Sequence, residues 1–550
     1  MSRSRFARHF AWIALCSVCL GAAAREPNPE PIPAPVPDFK TLEALGAVIG
    51  EIRIKTDDIF DTSDPKEDNW LFRLANTLHI KTRPSVIRRA LVFHSGEKVS
   101  VSRIEESERL LRQNSYLYEV RIRPVAYHDG IVDVEVQTRD TWTLEPGVSF
   151  SRSGGNNSSG ITVRDRNLLG TGVTLGYSQT SEPDRSGHAV EFSDHQLFGH
   201  QAAIDVSMAN YSDGSRNSYS LQQPFYSLET PWAAGVSAGD FNQLDTLYAN
   251  GAPIAKYRHQ QDSGNVFGGW STGLRDGWVQ RYSAGVGYAD DRYVIEPGQP
   301  PPPQLPADQT LAYPFVRYEL IENRYLKTEN RNVIGRSEFF ELGLHVSAQI
   351  GRSSAGLGAT RSPWLYAGSI SRGVETVRGG QVQGSLSLSG EYEDGQATRQ
   401  IYSTSVQAFL PQTDRWLHYA FGQFDAIVRP GPADELLLGG DNGLRGYPSQ
   451  YQSGDRRTLL TFEERLYTDT YIFRLIRVGA AAFVDVGRAW GGPYGNTVNA
   501  GWLWDVGFGL RLVSDRSAKG NVLHIDVAFP IDAEGSAKGA QFLVKTYSTF

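Results

Sequence analysis

From about Pro146 to Phe550 the chain alternates apolar and polar side chains in short runs and shows no helical period. GITVRDRNLL (160–169), YSAGVGYAD (282–290), SLSLSGEYE (385–393) and WLWDVGFGLRL (502–512) are examples, separated by polar, glycine-rich stretches. A period of two puts successive side chains on opposite faces of a β-strand. Runs of about ten such residues between turns are the pattern of membrane-barrel strands, whose average hydropathy stays low. At roughly 25 residues per strand-plus-loop, the region holds about 16 strands. A propeller or stacked sandwiches are the soluble alternatives, but no fixed internal repeat supports a propeller. No run of 18 apolar residues follows the N-terminal segment, which excludes a helical membrane protein. The PPPP run at 300–303 cannot sit mid-strand and marks a long loop.

The N-terminus MSRSRFARHFAWIALCSVCLGAAAR has a basic start (Arg3, Arg5, Arg8), an apolar stretch Phe10–Leu20 and small residues at Ala22–Ala24. Residues 1–24 therefore read as a secretory signal peptide. Both cysteines, Cys16 and Cys19, fall inside it, so no disulfide framework or cysteine metal site is expected beyond it. Residues 25–47 begin with REPNPEPIPAPVP and read as a semi-rigid proline-rich linker.

A compact α+β module is expected over residues 48–142. EIRIK (51–55) alternates, and WLFRLANTL (70–78) sets Leu71, Leu74 and Leu78 on one helical stripe. SVIRRAL (85–91) is a second short helix, and SRIEESERLL (102–111) opens with Ser102 and Glu105 in a capping-box spacing. YEVRIR (118–123) and VDVEV (132–136) alternate around a turn at Asp129-Gly130, which makes a hairpin. The order is β-α-α-β-β with an extra short helix after the first strand. The fold class is thus mainly β: an antiparallel transmembrane β-barrel over 146–550, preceded by one small α+β domain.

Composition narrows function. A net charge of −7 argues against a general nucleic-acid binder. Gly235-Val236-Ser237-Ala238-Gly239 matches a nucleophile-elbow spacing, but no helical pattern follows it, so no enzyme is expected. The 11 histidines form no metal-ligand spacing, HExxH is absent, and no cofactor is expected.

GGDNGLRGYPSQ (439–450) combines four glycines with an arginine and a tyrosine between strands. Five strands follow it: TLLTFEERLY (458–467), VGAAAFVDVG (478–487), WLWDVGFGLRL (502–512), NVLHIDVAF (521–529) and GAQFLVKTYSTF (539–550). In an even-stranded barrel both chain ends lie on the periplasmic side, so this loop starts outside. It can sit in water there, or fold back into the polar lumen, where Arg445 would need a carboxylate.

Gly443-Leu444-Arg445-Gly446-Tyr447 resembles the V/L-R-G-F/Y loop of the POTRA-plus-barrel outer-membrane superfamily, which includes BamA, TamA and the two-partner secretion transporters. Phe483-Val484-Asp485-Val486-Gly487 resembles that group's F-x-D-x-G strand, on the second strand after the loop. The 48–142 module is similar to a POTRA domain, and RDRNLLGTG (164–172) to the early barrel hairpin. The resemblance implies that Arg445 packs against this strand inside the barrel, beside Asp485, with Phe483 and Gly487 completing the barrel-wall partner motif. Glu464 is the competing partner. The terminal strand carries Phe542, Val544 and Phe550 on one face as a targeting signal, though Thr546 and Ser548 interrupt its apolar pattern. One POTRA-like unit is present where relatives carry two or more.

The resemblance further implies a protein of the Gram-negative outer membrane with its POTRA-like domain in the periplasm. It inserts outer-membrane proteins or translocates polypeptide clients by strand augmentation and a lateral barrel seam. Its partners are extended polypeptides, outer-membrane lipids and periplasmic chaperones or accessory lipoproteins. A transporter for one exported protein, and a passive pore or surface antigen, are the alternatives.

Overall fold

The computed structural model describes residues 36–432, 434–492, 500–514, 516–517, 522–531, 533–534, 537 and 539–547. Expectations for the signal peptide, most of the proline-rich stretch and Phe550 fall outside them.

The N-terminal module holds α1 (Phe39–Ala44), β1 (Val48–Asp57), α2 (Trp70–Leu78), α3 (Pro84–Ala90), α4 (Val101–Gln113), β2 (Leu117–His128) and β3 (Ile131–Asp140). β3 is central, parallel to β1 and antiparallel to β2. A parallel pair cannot close through a tight turn, so the three helices between β1 and β2 supply the crossover. Val132, Val134 and Val136 alternate into the core and meet Ile49, Ile52, Ile87, Ile104 and Leu111, all buried. Two sequence readings change here. α1 lies inside the stretch read as linker, capped where Asp38 accepts from the Thr41 amide. The α4 N-cap is Ser100, without a side-chain cap bond, so Ser102 lies inside the helix.

The barrel is a closed antiparallel ring of 20 strands among the described residues, from β4 (Leu144–Ser153) and β5 (Asn156–Asp165) to Gln541–Tyr547. The expected number of about 16 is corrected to 20. The first six strands lie between Leu144 and Gln223, joined mostly by tight turns such as Gly154-Gly155 and Phe198-Gly199. A turn of two residues in left-handed backbone joins antiparallel strands without a loop, so the allowance per strand was too generous.

Outward side chains form an apolar belt that includes Val148, Phe150, Ile161, Val286, Val316, Phe462, Phe508 and Leu510, all exposed. Every barrel strand has a neighbour on both sides, and all neighbours but the first and last strands share ladders of seven or more paired positions, which satisfy backbone groups without water. A closed barrel with such a belt is the form in which single chains cross the outer membrane. The protein is an outer-membrane β-barrel.

The N-terminal module covers one mouth. Tyr226 donates its hydroxyl to Ala90 O (3.0 Å), Asn167 Nδ2 donates to Thr82 Oγ1 (2.7 Å), and the Leu228 amide donates to Glu106 (2.8 Å). We call this end the domain rim and the opposite end the far rim. A hairpin of Tyr325–Glu329 with Ser337–Glu341 rises from the domain rim into the lumen. Its Val333, Ile334, Phe340 and Leu342 pack on the inward side chains Phe409, Leu417, Tyr467, Val513 and Val522. Strands near the far rim are long. Ala252–Ser271 has 20 residues, or roughly 66 Å at about 3.3 Å per residue, far beyond a belt about 25 Å tall.

Candidate functional site

The segment between strands Trp416–Val428 and Arg456–Ile472 leaves the far rim and folds back into the lumen. It begins and ends in a small ladder of Leu436–Leu438 with Gln452–Gly454. Asn442 closes the bend: its side-chain oxygen accepts from the Gly439 amide (2.7 Å) and its Nδ2 donates to Leu437 O (2.7 Å). Leu444 and Tyr447 are fully buried with Leu438, Tyr451, Leu459, Ala489 and Leu503. The Tyr447 hydroxyl lies 3.2 Å from Trp504 O and 3.1 Å from Ile531 O. Two glycines are required by contact. A Cβ on Gly446 would stand 2.5 Å from Asp505 Cβ, and Gly443 holds φ +118 with Leu459 Cδ2 2.3 Å from its would-be Cβ.

Arg445 is 5% exposed and reaches the lumen wall. It donates from Nε to Asp485 Oδ2 (2.6 Å) and from Nη2 to Asp485 Oδ1 (2.8 Å), a two-pronged pair. Nη1 donates to Glu463 Oε1 (2.7 Å) and stands 3.6 Å from Asp526 Oδ2. The guanidinium carbon lies 3.4 Å from the Phe483 ring centroid, a cation–π contact on its free face. Around this centre, Thr461 Oγ1 donates to Asp485 Oδ1 (2.8 Å), Arg465 Nε to Glu463 Oε2 (2.7 Å), and the Gly446 amide to Asp505 (2.9 Å). Arg511 pairs with Asp526 and stands 3.5 Å from Glu463. Arg445, Arg465 and Arg511 thus meet the carboxylates of Glu463, Asp485 and Asp526; with Asp505, which accepts from the Gly446 amide, these four buried carboxyl groups stand on four successive strands.

The structure brings Arg445, Phe483 and Asp485 together. Gly487 lies farther along the same strand, where a Cβ would press on Leu438 Cδ2 at 3.0 Å. Glu464 is not Arg445's partner. It lies on the outer face with Phe462, and accepts from Gln412 Nε2 at 2.8 and 3.1 Å. Its neighbour Glu463 takes that place, because the strand alternates faces at every residue. Sequence reasoning missed Glu463, Asp505, Arg511 and Asp526. The parity of Asp485 would have found Asp505, its cross-strand partner. Phe542 faces outward, half exposed, and Val544 is half-buried at the join between last and first strands. Gly235–Gly239 lies mid-strand in Trp232–Ala249, with no helix after it.

That join is thin. Among the described residues Val544↔Arg152 is the single pair between Gln541–Tyr547 and β4, whereas the shortest other neighbouring ladders in the ring share seven. The lumen loop touches both sides of it. The Ser449 amide donates to Gly154 O (2.9 Å), at the turn after β4, and Lys545 Nζ on the last strand donates to Asp441 O (2.6 Å).

No family model matches the chain, and no curated protein matches it. Among solved structures it is similar to CdiB from Escherichia coli at 13% identity, covering 91% of this chain and 76% of that one with a TM-score of 0.47. CdiB from Acinetobacter baumannii follows at 12% identity, 91% and 73% coverage and 0.44. BamA from Haemophilus ducreyi lacking POTRA domains 1-3 is similar at 13% identity, 92% and 85% coverage and 0.39.

Proposed function

We propose that this outer-membrane barrel handles polypeptide clients by opening its seam, with the N-terminal module as a periplasmic POTRA-like domain that receives them. The observation that carries the reading is the single paired position between first and last strands. Unpaired N–H and C=O groups on such an edge offer a template to an incoming strand. In the N-terminal sheet β1 and β2 are edges and can extend the same template toward the periplasm. Arg445 and its carboxylates fix the lumen loop, which holds Gly154 and Lys545 on opposite sides of the seam. No covalent chemistry is needed. The hairpin Tyr325–Glu341 fills the domain-side mouth with apolar side chains, which disfavours a passive pore.

The test is a reversible lock. Arg152→Cys with Val544→Cys joins the two strands under oxidation and releases them under reductant. Loss of client insertion or export only in the oxidised form supports the reading; full activity when locked rejects seam opening. Outer-membrane and secretome profiling after deletion then separates clients. Loss of many barrels indicates insertion, and loss of one secreted protein indicates dedicated export.

A further inference from the structure

The stripe of Leu71, Leu74 and Leu78 on helix α2 is exposed rather than turned to the module's core. Phe72 is the buried residue of this helix, stacked on Phe60 at 3.8 Å between ring centroids. Trp70 (71% exposed), Leu71, Leu74 and Leu78 (64%) face outward, and Ile80 follows them. At 100° per residue, positions 70, 71, 74 and 78 fall within one arc of about 100°, while Arg73 and Thr77 occupy the next sector. A nine-residue helix with a bare apolar face needs an occupant.

Its seat names one. The buried side of α2 packs, through Phe60 and Ile59, on Leu475 of one rim turn and on Trp142 just before β4. Arg516, on another rim turn, donates from Nη1 to Ile59 O (2.9 Å) and pairs with Glu67. After the helix, the Arg83 amide donates to Gly170 O (2.9 Å), on the turn between β5 and the next strand. The stretch from Ile59 to Arg83 therefore lies along the domain rim across the arc that contains the seam.

Three domain-rim turns are apolar in a position that disfavours it, while Arg378 holds that position in a fourth. Leu169 (φ 52), Phe198 (φ 52) and Phe473 (φ 50) each stand first in a turn with two left-handed residues. That position normally holds Asn, Asp or Gly. The far-rim turns obey, with Asn250 and Asp394, and Asp276 keeps the usual choice on the domain rim. Bulky apolar residues pay backbone strain there, yet Phe198 is 90% and Phe473 83% exposed. Trp232, Trp270, Trp278 and Trp416 ring the same end, all outward and exposed. Tryptophans at one level mark the boundary between acyl chains and headgroups.

We infer that α2 lies in the interfacial layer of the periplasm-facing leaflet beside the seam, its Trp70, Leu71, Leu74 and Leu78 in lipid, level with the apolar turn tips Leu169 and Phe473. The apolar face continues the lipid-facing belt, and lipid is its occupant. An amphipathic helix of this kind sits at the headgroup boundary. Placed here, it disturbs acyl packing at the point where the seam meets the membrane. The inference rests on the barrel's membrane placement and not on seam opening.

The test uses the full chain with Cys16→Ser and Cys19→Ser, refolded into phosphatidylethanolamine–phosphatidylglycerol vesicles. Nitroxide labels are placed singly at Trp70→Cys, Leu74→Cys, Leu78→Cys, Thr77→Cys and, as a belt reference, Phe508→Cys. Oxygen and a water-soluble nickel complex report immersion. Labels at 70, 74 and 78 should show an oxygen-to-nickel ratio several-fold above that at 77 and shallower than that at 508. Ratios at 70, 74 and 78 equal to that at 77, with 508 in lipid, overturn the inference. So do labels shielded from both reagents, which would mean that a protein covers the face. A water-exposed label at 508 would overturn the membrane placement and this inference with it.

Discussion

Replacing Arg445 with Ala removes the cation shared by Asp485 and Glu463 and leaves both carboxylates buried. The consequences are unequal. Glu463 keeps Arg465 at 2.7 Å and Arg511 at 3.5 Å. Asp485 keeps the Thr461 hydroxyl at 2.8 Å and faces Asp505 across the ladder. Breaking a buried pair by deleting one partner costs about 3–5 kcal/mol, most of it from the charge left behind. That charge is Asp485. Arg445→Ala should therefore destabilise the barrel by about 3–5 kcal/mol, and adding Asp485→Asn should restore about 2 kcal/mol. Arg445→Lys should not substitute, because an ammonium cannot make the two-pronged contact or lie flat on Phe483. The assay is urea unfolding and refolding in lipid vesicles, followed by tryptophan emission, for wild type, both single variants and the double variant. A loss below about 1 kcal/mol for Arg445→Ala, or an Asp485→Asn effect independent of residue 445, would refute the view that this pair anchors the loop.

Gly446→Ala forces a Cβ to within 2.5 Å of Asp505 Cβ; it should cost about 1–3 kcal/mol and expose the loop to protease added from the far side. Ile334→Asp places a charge in the apolar contact between hairpin and lumen wall; single-channel conductance in planar bilayers should rise from a closed baseline, and an unchanged baseline would show that the hairpin does not seal the mouth. His259 lies beyond the apolar belt, on the far-rim part of Ala252–Ser271. Burial opposes its charge, but hydrogen bonds to Asp245 (2.9 Å) and Asp291 (3.1 Å) outweigh this and push its pKa up to about 9. A raised pKa means that the contribution is complete below the unfolded value of about 6.5 and is lost as pH rises through about 9. Thermal melts of wild type should fall across that window, and His259→Gln should flatten the fall.

The barrel was legible because one face of each strand meets lipid and the other does not, which writes a period of two along the chain. The place of Asp485 beside Arg445 was legible only through the resemblance of Phe483–Gly487 to an F-x-D-x-G strand. Strand number was less legible, since it depends on turns, and Phe198-Gly199 looks like part of a run rather than a corner. Glu464 misled because an acidic pair, Glu463-Glu464, straddles both faces, and only register separates them. The Tyr325–Glu341 hairpin was hidden in a polar stretch, its apolar pairs Tyr325-Leu326, Val333-Ile334 and Phe339-Phe340 too far apart to read as a strand pattern. Leu71, Leu74 and Leu78 marked the helix but not what its stripe faces, because a stripe announces an apolar neighbour without saying whether that neighbour is protein or lipid.

The loop arginine has a consequence for the order of assembly. Its acidic partners, Glu463, Asp485 and Asp526, and the Asp505 that receives the Gly446 amide, stand on four successive strands, every one synthesised after the loop. Until those strands are side by side, a guanidinium drawn out of water has too few counter-charges to stay there. Loop entry is therefore withheld from an unfinished barrel and granted to a finished one. The network ties loop entry to completion of these strands, and a chain truncated before Ile476, which lacks Asp485, Asp505 and Asp526, should leave the loop outside.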